Sequence, residues 1–125
     1  MRFLFEKSPL PLFADESCVT EKDVEKCFNH FHGINIKLTK CSGITPARRM
    51  ITNARQLGMK IMLGSMNEST IGSAAIVHLS PLADYLDVDG PLLLAEDIAT
   101  GLSYDYGKVS CSTHTGLGVA TLNSF

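Results

Sequence analysis

The chain has 125 residues, the length of one domain or of part of a larger one. With 45% hydrophobic and 19% charged residues it has the composition of a globular protein rather than a disordered one. A formal net charge of −2 gives no attraction for nucleic acid or an anionic membrane, and no apolar run approaches the roughly 20 residues of a membrane span.

At the N-terminus, MRFLFEKSPLPLF has one early basic residue but no small-residue cleavage site, so it does not read as a signal peptide. Arg2 to Lys7 reads as the tail of a helix, ended by Pro9 and Pro11. A first strand follows near Leu12 to Ala14 and stops abruptly at Asp15 and Glu16. Thr20 is the expected N-cap of the next helix, with Asp23 at its third position and Val19 and Val24 at the staple positions. Val24, Cys27, Phe28 and Phe31 share one face at helical spacing, and Gly33 is the expected stop.

The second strand is expected over Ile34 to Lys37. Thr45 then caps a helix with Pro46 at its first position; Ile51, Ala54 and Leu57 form its buried stripe and Gly58 its end. Lys60 to Leu63 forms the third strand, opening into GSMNES. A weaker helix, containing Gly72, is expected from about Glu68 to Leu79, and Asp84 to Asp87 form the fourth strand, opening into VDGP. Beyond Pro91 the sequence turns richer in Gly, Ser and Thr, which reads as an irregular extension with a small strand or two.

Strands alternating with single helices imply βαβ crossovers and therefore parallel strands. Polar groups collect after every strand: Asp15 and Glu16, Lys37 and Lys40, then Ser65, Asn67 and Glu68, then Asp87 and Asp89. That pattern fits a (β/α) barrel with its site at the C-terminal strand ends. It fits a doubly wound sheet less well, because no Gly-rich phosphate turn follows the first strand.

The remaining candidates have plainer readings. Cys18, Cys27, Cys41 and Cys111 show neither CxxC nor Cys/His ligand spacing, so reduced thiols and a cytoplasmic setting are expected. His30 and His32 read as helix-end or surface histidines. Lys40, Arg48 and Arg49 read as solvated charge, and Met50, Met59, Met62 and Met66 as core filling. Taken singly, Asp15 to Ser17 is also an ordinary turn before a helix, Lys37 an ordinary strand-end lysine, and Asp87 with Asp89 ordinary turn formers. Their order and spacing together favour a site.

In that order, ADES, NIKLTK, GSMNES and DVDGP make the chain resemble the enolase superfamily, in particular its muconate-lactonising subgroup and, most of all, the dipeptide epimerases of L-Ala-D/L-Glu type. The resemblance implies the C-terminal half of an enolase-type (β/α) barrel over residues 1–91. It also implies a tail over residues 92–125 that packs on the capping domain. By the same resemblance Asp15 is a carboxylate ligand of an essential Mg2+, with Glu16 behind it. Lys37 is the acid/base lysine on one face of the substrate's α-carbon, the metal stabilising the enediolate formed when the α-proton leaves. Asp87 and Asp89 receive the α-ammonium group of a dipeptide, and Ser65, Met66 and Glu68 line the pocket.

The other metal carboxylates and the opposing KxK lysines of such enzymes have no equivalent here, and a complete barrel takes about 250 residues. The chain is therefore expected to be a fragment that is inactive alone, its N-terminal half missing, or a homo-oligomer. Two alternatives stand beside the epimerase: a cycloisomerase or o-succinylbenzoate synthase of the same subgroup, and a non-catalytic half-barrel that assembles with a partner.

Overall fold

The computed structural model describes residues 2–122; residue 1 and residues 123–125, the end of the expected extension, lie outside it. Helix α1 (Arg2–Lys7) leads to β1 (Phe13–Ala14), α2 (Glu21–Cys27) and β2 (Gly33–Ile36). A short α3 (Leu38–Cys41) and a longer α4 (Ile44–Gln56) precede β3 (Lys60–Gly64), and α5 (Thr70–Val77) precedes β4 (Tyr85–Asp87). The strands form one sheet in the order β1-β2-β3-β4 with every pairing parallel. This is the α/β alternation of a half-barrel.

Alternation along each strand divides the sheet into two faces. Ala14, Ile34, Ile36, Ile61 and Leu63 face the helices and are at most 1% exposed. Each large aliphatic side chain buried there contributes about 1.5–3 kcal/mol. The other face carries Phe13, Gly33, Asn35, Lys60, Met62, Gly64, Tyr85 and Asp87, and it is mixed rather than apolar. Its aromatic residues, Phe13 on β1 and Tyr85 on β4, meet edge to face with ring centroids 5.2 Å apart.

The helices follow sequence cues with three differences. α4 buries Ala47, Met50, Ile51 and Ala54, an i, i+3, i+4, i+7 stripe, and ends at Gly58, whose φ of +71° suits a C-terminal cap. Its N-cap, however, is Gly43 rather than Thr45, so Pro46 falls at the third position of the first turn, where its missing N–H is still harmless. α2 stops at Cys27 instead of reaching Phe31: Phe28 leaves the helical region and Asn29 takes φ +60°, a conformation Asn tolerates better than most residues. α3 was not anticipated. There Lys37 acts as N-cap, and Ser42 at φ +71° ends the turn at once.

His32 does more than a surface histidine would. Its Nδ1 accepts the Leu12 N–H at 2.9 Å, tying the entrance of β1 to that of β2, and its ring stacks on Phe5 at 4.7 Å. The four cysteines are free thiols, and Cys18, Cys27 and Cys41 belong to the core. Among the described residues no helix is long and apolar enough to cross a membrane.

Beyond Pro91 the pairing becomes antiparallel. β5 (Ala99–Thr100) pairs with β8 (Ala120–Thr121), and β6 (Leu102–Asp105) with β7 (Lys108–Cys111). The hairpin turns through Tyr106 and Gly107, both at positive φ, as tight two-residue turns require. It is fastened to the sheet by Tyr104, whose hydroxyl donates to the Val88 carbonyl at 2.8 Å, and His78 Nε2 lies 3.1 Å from the Leu117 carbonyl oxygen.

Two carboxylates staple this scaffold across long sequence distances. Asp97 Oδ2 accepts the Thr70 N–H at 2.8 Å, serving α5 in the place of its silent N-cap Ser69. Asp84 Oδ2 accepts the Ile61 N–H and an Arg55 guanidinium N–H, both at 2.7 Å. Burial pushes each carboxyl up, but these donors outweigh it and hold both below the ordinary range. A depressed folded pKa stabilises the fold above the unfolded value, about 4 for Asp, and that contribution is lost as pH falls through the folded value. Stability measured by urea titration should therefore decline below about pH 4. Asp84→Ala should lose about 1–3 kcal/mol at neutral pH, leaving the Ile61 amide without its acceptor, and should flatten the acid decline. An unchanged acid limb in that variant would discount the staple.

Candidate functional site

Because β1 to β4 all run the same way, their four C-terminal ends open at one edge of the sheet. Asp15 follows β1 on the parity of Phe13, the open face of the sheet, and Lys37 follows β2 on the parity of Asn35. Lys37 Nζ lies 2.9 Å from Asp15 Oδ2, so the two adjacent strands bring acid and amine together. Asn35, one layer deeper and buried, donates from Nδ2 to the same oxygen at 3.2 Å. Gly64 on β3 makes room for that amide: a Cβ there would stand 2.6 Å from Asn35 Oδ1.

Lys40 completes the cluster. Its Nζ lies 2.8 Å from Asp15 Oδ1 and 2.6 Å from Glu16 Oε1. It is thus an anchored ion rather than the solvated charge expected. Burial pushes Asp15 up, yet Lys40 and Lys37 hold it below the ordinary carboxylate range. Burial pushes Lys40 down, and its two carboxylates more than reverse that. The missed signal was the three-residue spacing between Lys37 and Lys40, which puts side chains together only once α3 is known to be helical.

The second half of the mouth is built by the loops after β3 and β4. The Ser65 N–H donates to the Asp87 carbonyl at 2.8 Å, continuing the β3–β4 pairing past the strand. Gly90 packs so closely on the neighbouring loop that a Cβ would lie 2.8 Å from the Met66 carbonyl oxygen and 2.9 Å from the Glu68 amide nitrogen. Asp87 and Asp89 border a cleft of about 500 Å³ whose far wall is Tyr104, Tyr106 and Lys108 of the β6–β7 hairpin. Met66 is exposed. Glu68 turns toward the first turn of α5, where Gly72 leaves space for it, and both of its carboxylate oxygens are buried without a hydrogen-bond partner among the described residues. Its carboxylate is not part of the Asp15–Lys37–Lys40 cluster.

The carboxylate of Asp15 is the hard oxygen donor that a divalent ion such as magnesium prefers, but it stands alone. Both of its oxygens are engaged by ammonium groups, and the described residues contain no group of three or more His, Cys, Asp or Glu able to hold an ion. By themselves, these residues do not fit the metal.

Comparison with known proteins gives this geometry a context. The chain is 58% identical over 119 residues to the L-Ala-D/L-amino acid epimerase of Flavobacterium johnsoniae, covering 95% of this chain and 35% of that protein. It is 42% identical over 114 residues to the L-Ala-D/L-Glu epimerase of Bacteroides thetaiotaomicron, covering 91% and 30%. Among solved structures, the dipeptide epimerase of Cytophaga hutchinsonii in complex with Mg and the dipeptide D-Ala-L-Val superposes with a TM-score of 0.84 at 29% identity, covering 100% of this chain and 38% of that one. The chain thus spans about a third of the length of these relatives. Residues 1–123 match the family described as Enolase C-terminal domain-like, and with four parallel strands sending their polar residues to one edge, the chain belongs to that family.

Proposed function

We propose that these 125 residues carry part of the reaction centre of a dipeptide epimerase of the L-Ala-D/L-Glu type, an isomerase that inverts the α-carbon of one residue of its substrate. The observation that carries this reading is the Asp15–Lys37 contact of 2.9 Å at the ends of adjacent parallel strands, in a chain so similar to named epimerases. Lys37, once released from Asp15 and unprotonated, takes the α-proton onto Nζ from one face of the carbon. A base outside these residues returns a proton to the other face, and the configuration inverts. In a complete barrel that adds the carboxylates these residues lack, Asp15 would be one ligand of a magnesium ion, which would supply positive charge against the substrate carboxylate, and Glu16 would support Asp15 through Lys40.

Asp87 and Asp89 form an anionic rim that receives the dipeptide's ammonium group. Such a rim penalises substrates that lack a cation, which disfavours cycloisomerisation and succinylbenzoate synthesis. Ser65 and Met66 line the pocket from the neighbouring loop, and Glu68, packed beside Gly72 of α5, holds that loop rather than facing the substrate. The division at residue 91 into half-barrel and capping-domain extension belongs to the same reading, supported by the change there from parallel to antiparallel pairing. A cytoplasmic setting fits four free cysteines.

The test uses L-Ala-L-Glu and Mg2+ in deuterated water. The isolated 125-residue chain should exchange no α-proton. A fusion of this chain to the N-terminal two thirds of the Flavobacterium johnsoniae relative should exchange it and epimerise the dipeptide. A folded fusion without exchange, where the intact relative is active, would refute the reading. So would activity in the isolated chain.

A further inference from the structure

Lys40 has no part in the proton transfer just described, yet it is the most firmly held cation at the mouth. It stands three residues beyond Lys37, the extended N-cap of α3, and the single turn of α3 brings its side chain back toward β1 beside that of Lys37. There they divide one carboxylate: Lys40 takes Asp15 Oδ1 at 2.8 Å, and Lys37 takes Oδ2 at 2.9 Å. Lys40 is tied a second time by Glu16 Oε1 at 2.6 Å, and its side chain is 17% exposed. An ammonium has three donors on a flexible stem, and two of its partners here sit on successive residues of one turn. Asp15 and Glu16 together carry two negative charges, matched by Lys37 and Lys40.

We propose that Lys40 is a positioning residue: by bridging Asp15 and Glu16 it locks the Asp15 carboxylate with Oδ2 toward Lys37, and so fixes where the Lys37 amine stands. Without Lys40, two adjacent carboxylates face the single cation Lys37, and the Asn35 amide at 3.2 Å is left to mark Oδ2 without a partner on Oδ1. The carboxylate then loses its anchor on the Oδ1 side, and the Lys37 amine is drawn toward Glu16 and away from the mouth. The inference rests on Lys37 as the proton-transferring group only for its catalytic consequence; the lock itself belongs to the chain alone.

The experiment therefore has two arms. In the 125-residue chain, NMR of the lysine ammonium groups reports hydrogen-bonded Nζ–H protons, which exchange slowly. Lys37 and Lys40 should both give such signals. Lys40→Met should abolish or shift that of Lys37 with the melting curve retained. Lys40→Arg should preserve it, because a guanidinium can also span two carboxylates. Should Lys40→Met fail to fold, Glu16→Gln, which removes half the anchor at an exposed site, should weaken the Lys37 signal in the same sense. An unmoved Lys37 signal in a folded variant overturns the proposal.

In the fusion described above, Lys40→Met should lower kcat roughly 10- to 100-fold, the usual loss on removing a group that orients another, with KM unmoved. Lys40→Arg should recover most of that activity. A raised KM with unchanged kcat would mean that Lys40 touches the substrate, and would also overturn the proposal. An inactive wild-type fusion sinks the reaction assignment and leaves the ammonium signals to decide Lys40.

Discussion

Lys37→Ala should abolish epimerisation in both directions when this chain completes an epimerase barrel, with kcat falling about 10²- to 10⁴-fold, the usual contribution of a positioned acid or base. The reason is stereochemical as well as kinetic. Inversion needs one proton removed and another delivered on opposite faces of the α-carbon, and among the described residues Lys37 is the only ammonium in contact with Asp15 Oδ2 at the strand ends. Losing either face stops both the forward and the reverse reaction, whichever configuration is supplied. Substrate binding should be nearly unaffected if, as proposed, Asp87 and Asp89 receive the ammonium group of the dipeptide. Lys37→Arg should not rescue: a guanidinium does not give up its proton in the range where enzymes work. Deuterium incorporation from solvent, followed by NMR for each dipeptide epimer separately, measures the loss directly. Epimerisation at an undiminished rate in Lys37→Ala would remove the lysine from the reaction and leave Asp15–Lys37 as a structural ion pair.

How much of this was legible in the amino-acid order depended on the range of the interactions. The strands could be read because short runs such as Ile34-Asn35-Ile36 and Ile61-Met62-Leu63 are largely apolar and end abruptly in charge or glycine. Lys37 and Asp15 could be placed at one edge because parallel strands must end there together. What escaped were features decided by a single dihedral or by a distant partner. Asn29 at φ +60° ends α2 a turn early, and Ser42 at φ +71° confines α3 to one turn. Neither residue type announces that choice, since both also occur in helices. α3 in turn decides Lys40: on an extended segment Lys37 and Lys40 would face opposite sides of the chain, and only helical spacing brings both to Asp15. Asp97 lies 27 residues from the Thr70 amide that it caps, and Asp84 lies 23 from the Ile61 amide. No local pattern encodes such pairs. Glu68 is the opposite case. Its place on the loop after β3 was legible, but not that its carboxylate turns away from the Asp15 cluster toward α5.

Gly33→Ala should be the more damaging of the two alanine substitutions at glycines facing the open side of the parallel sheet, costing about 3 kcal/mol or more, at the upper end of what overpacking does. Gly33 opens β2 and pairs with Phe13 on one side and Lys60 on the other. An added Cβ would lie 2.5 Å from the Lys60 carbonyl oxygen and against the Phe13 ring. The ring could turn, at the expense of its contact with Tyr85. The carbonyl cannot, because it belongs to the strand next to Gly33 and moving it opens the β2–β3 ladder that carries Ile34, Ile36, Ile61 and Leu63. Set against a typical total of about 5–15 kcal/mol, such a loss removes roughly a fifth to three fifths of the stability. Gly58→Ala is the contrasting control. It meets open space, so its cost is only that of φ +71° in a residue with a Cβ, about 1–2 kcal/mol. Urea midpoints at constant m-value compare the two. The double variant Phe13→Ala, Gly33→Ala separates the causes: if the carbonyl sets the cost, removing the ring does not restore stability, and recovery to the level of Phe13→Ala alone would assign the cost to the ring. In either case the bare α-carbon of Gly33 is what allows Phe13 to lie across the open face and reach β4. The same absence of side-chain atoms at Gly64, two layers nearer the mouth, leaves room for Asn35 to hold Asp15.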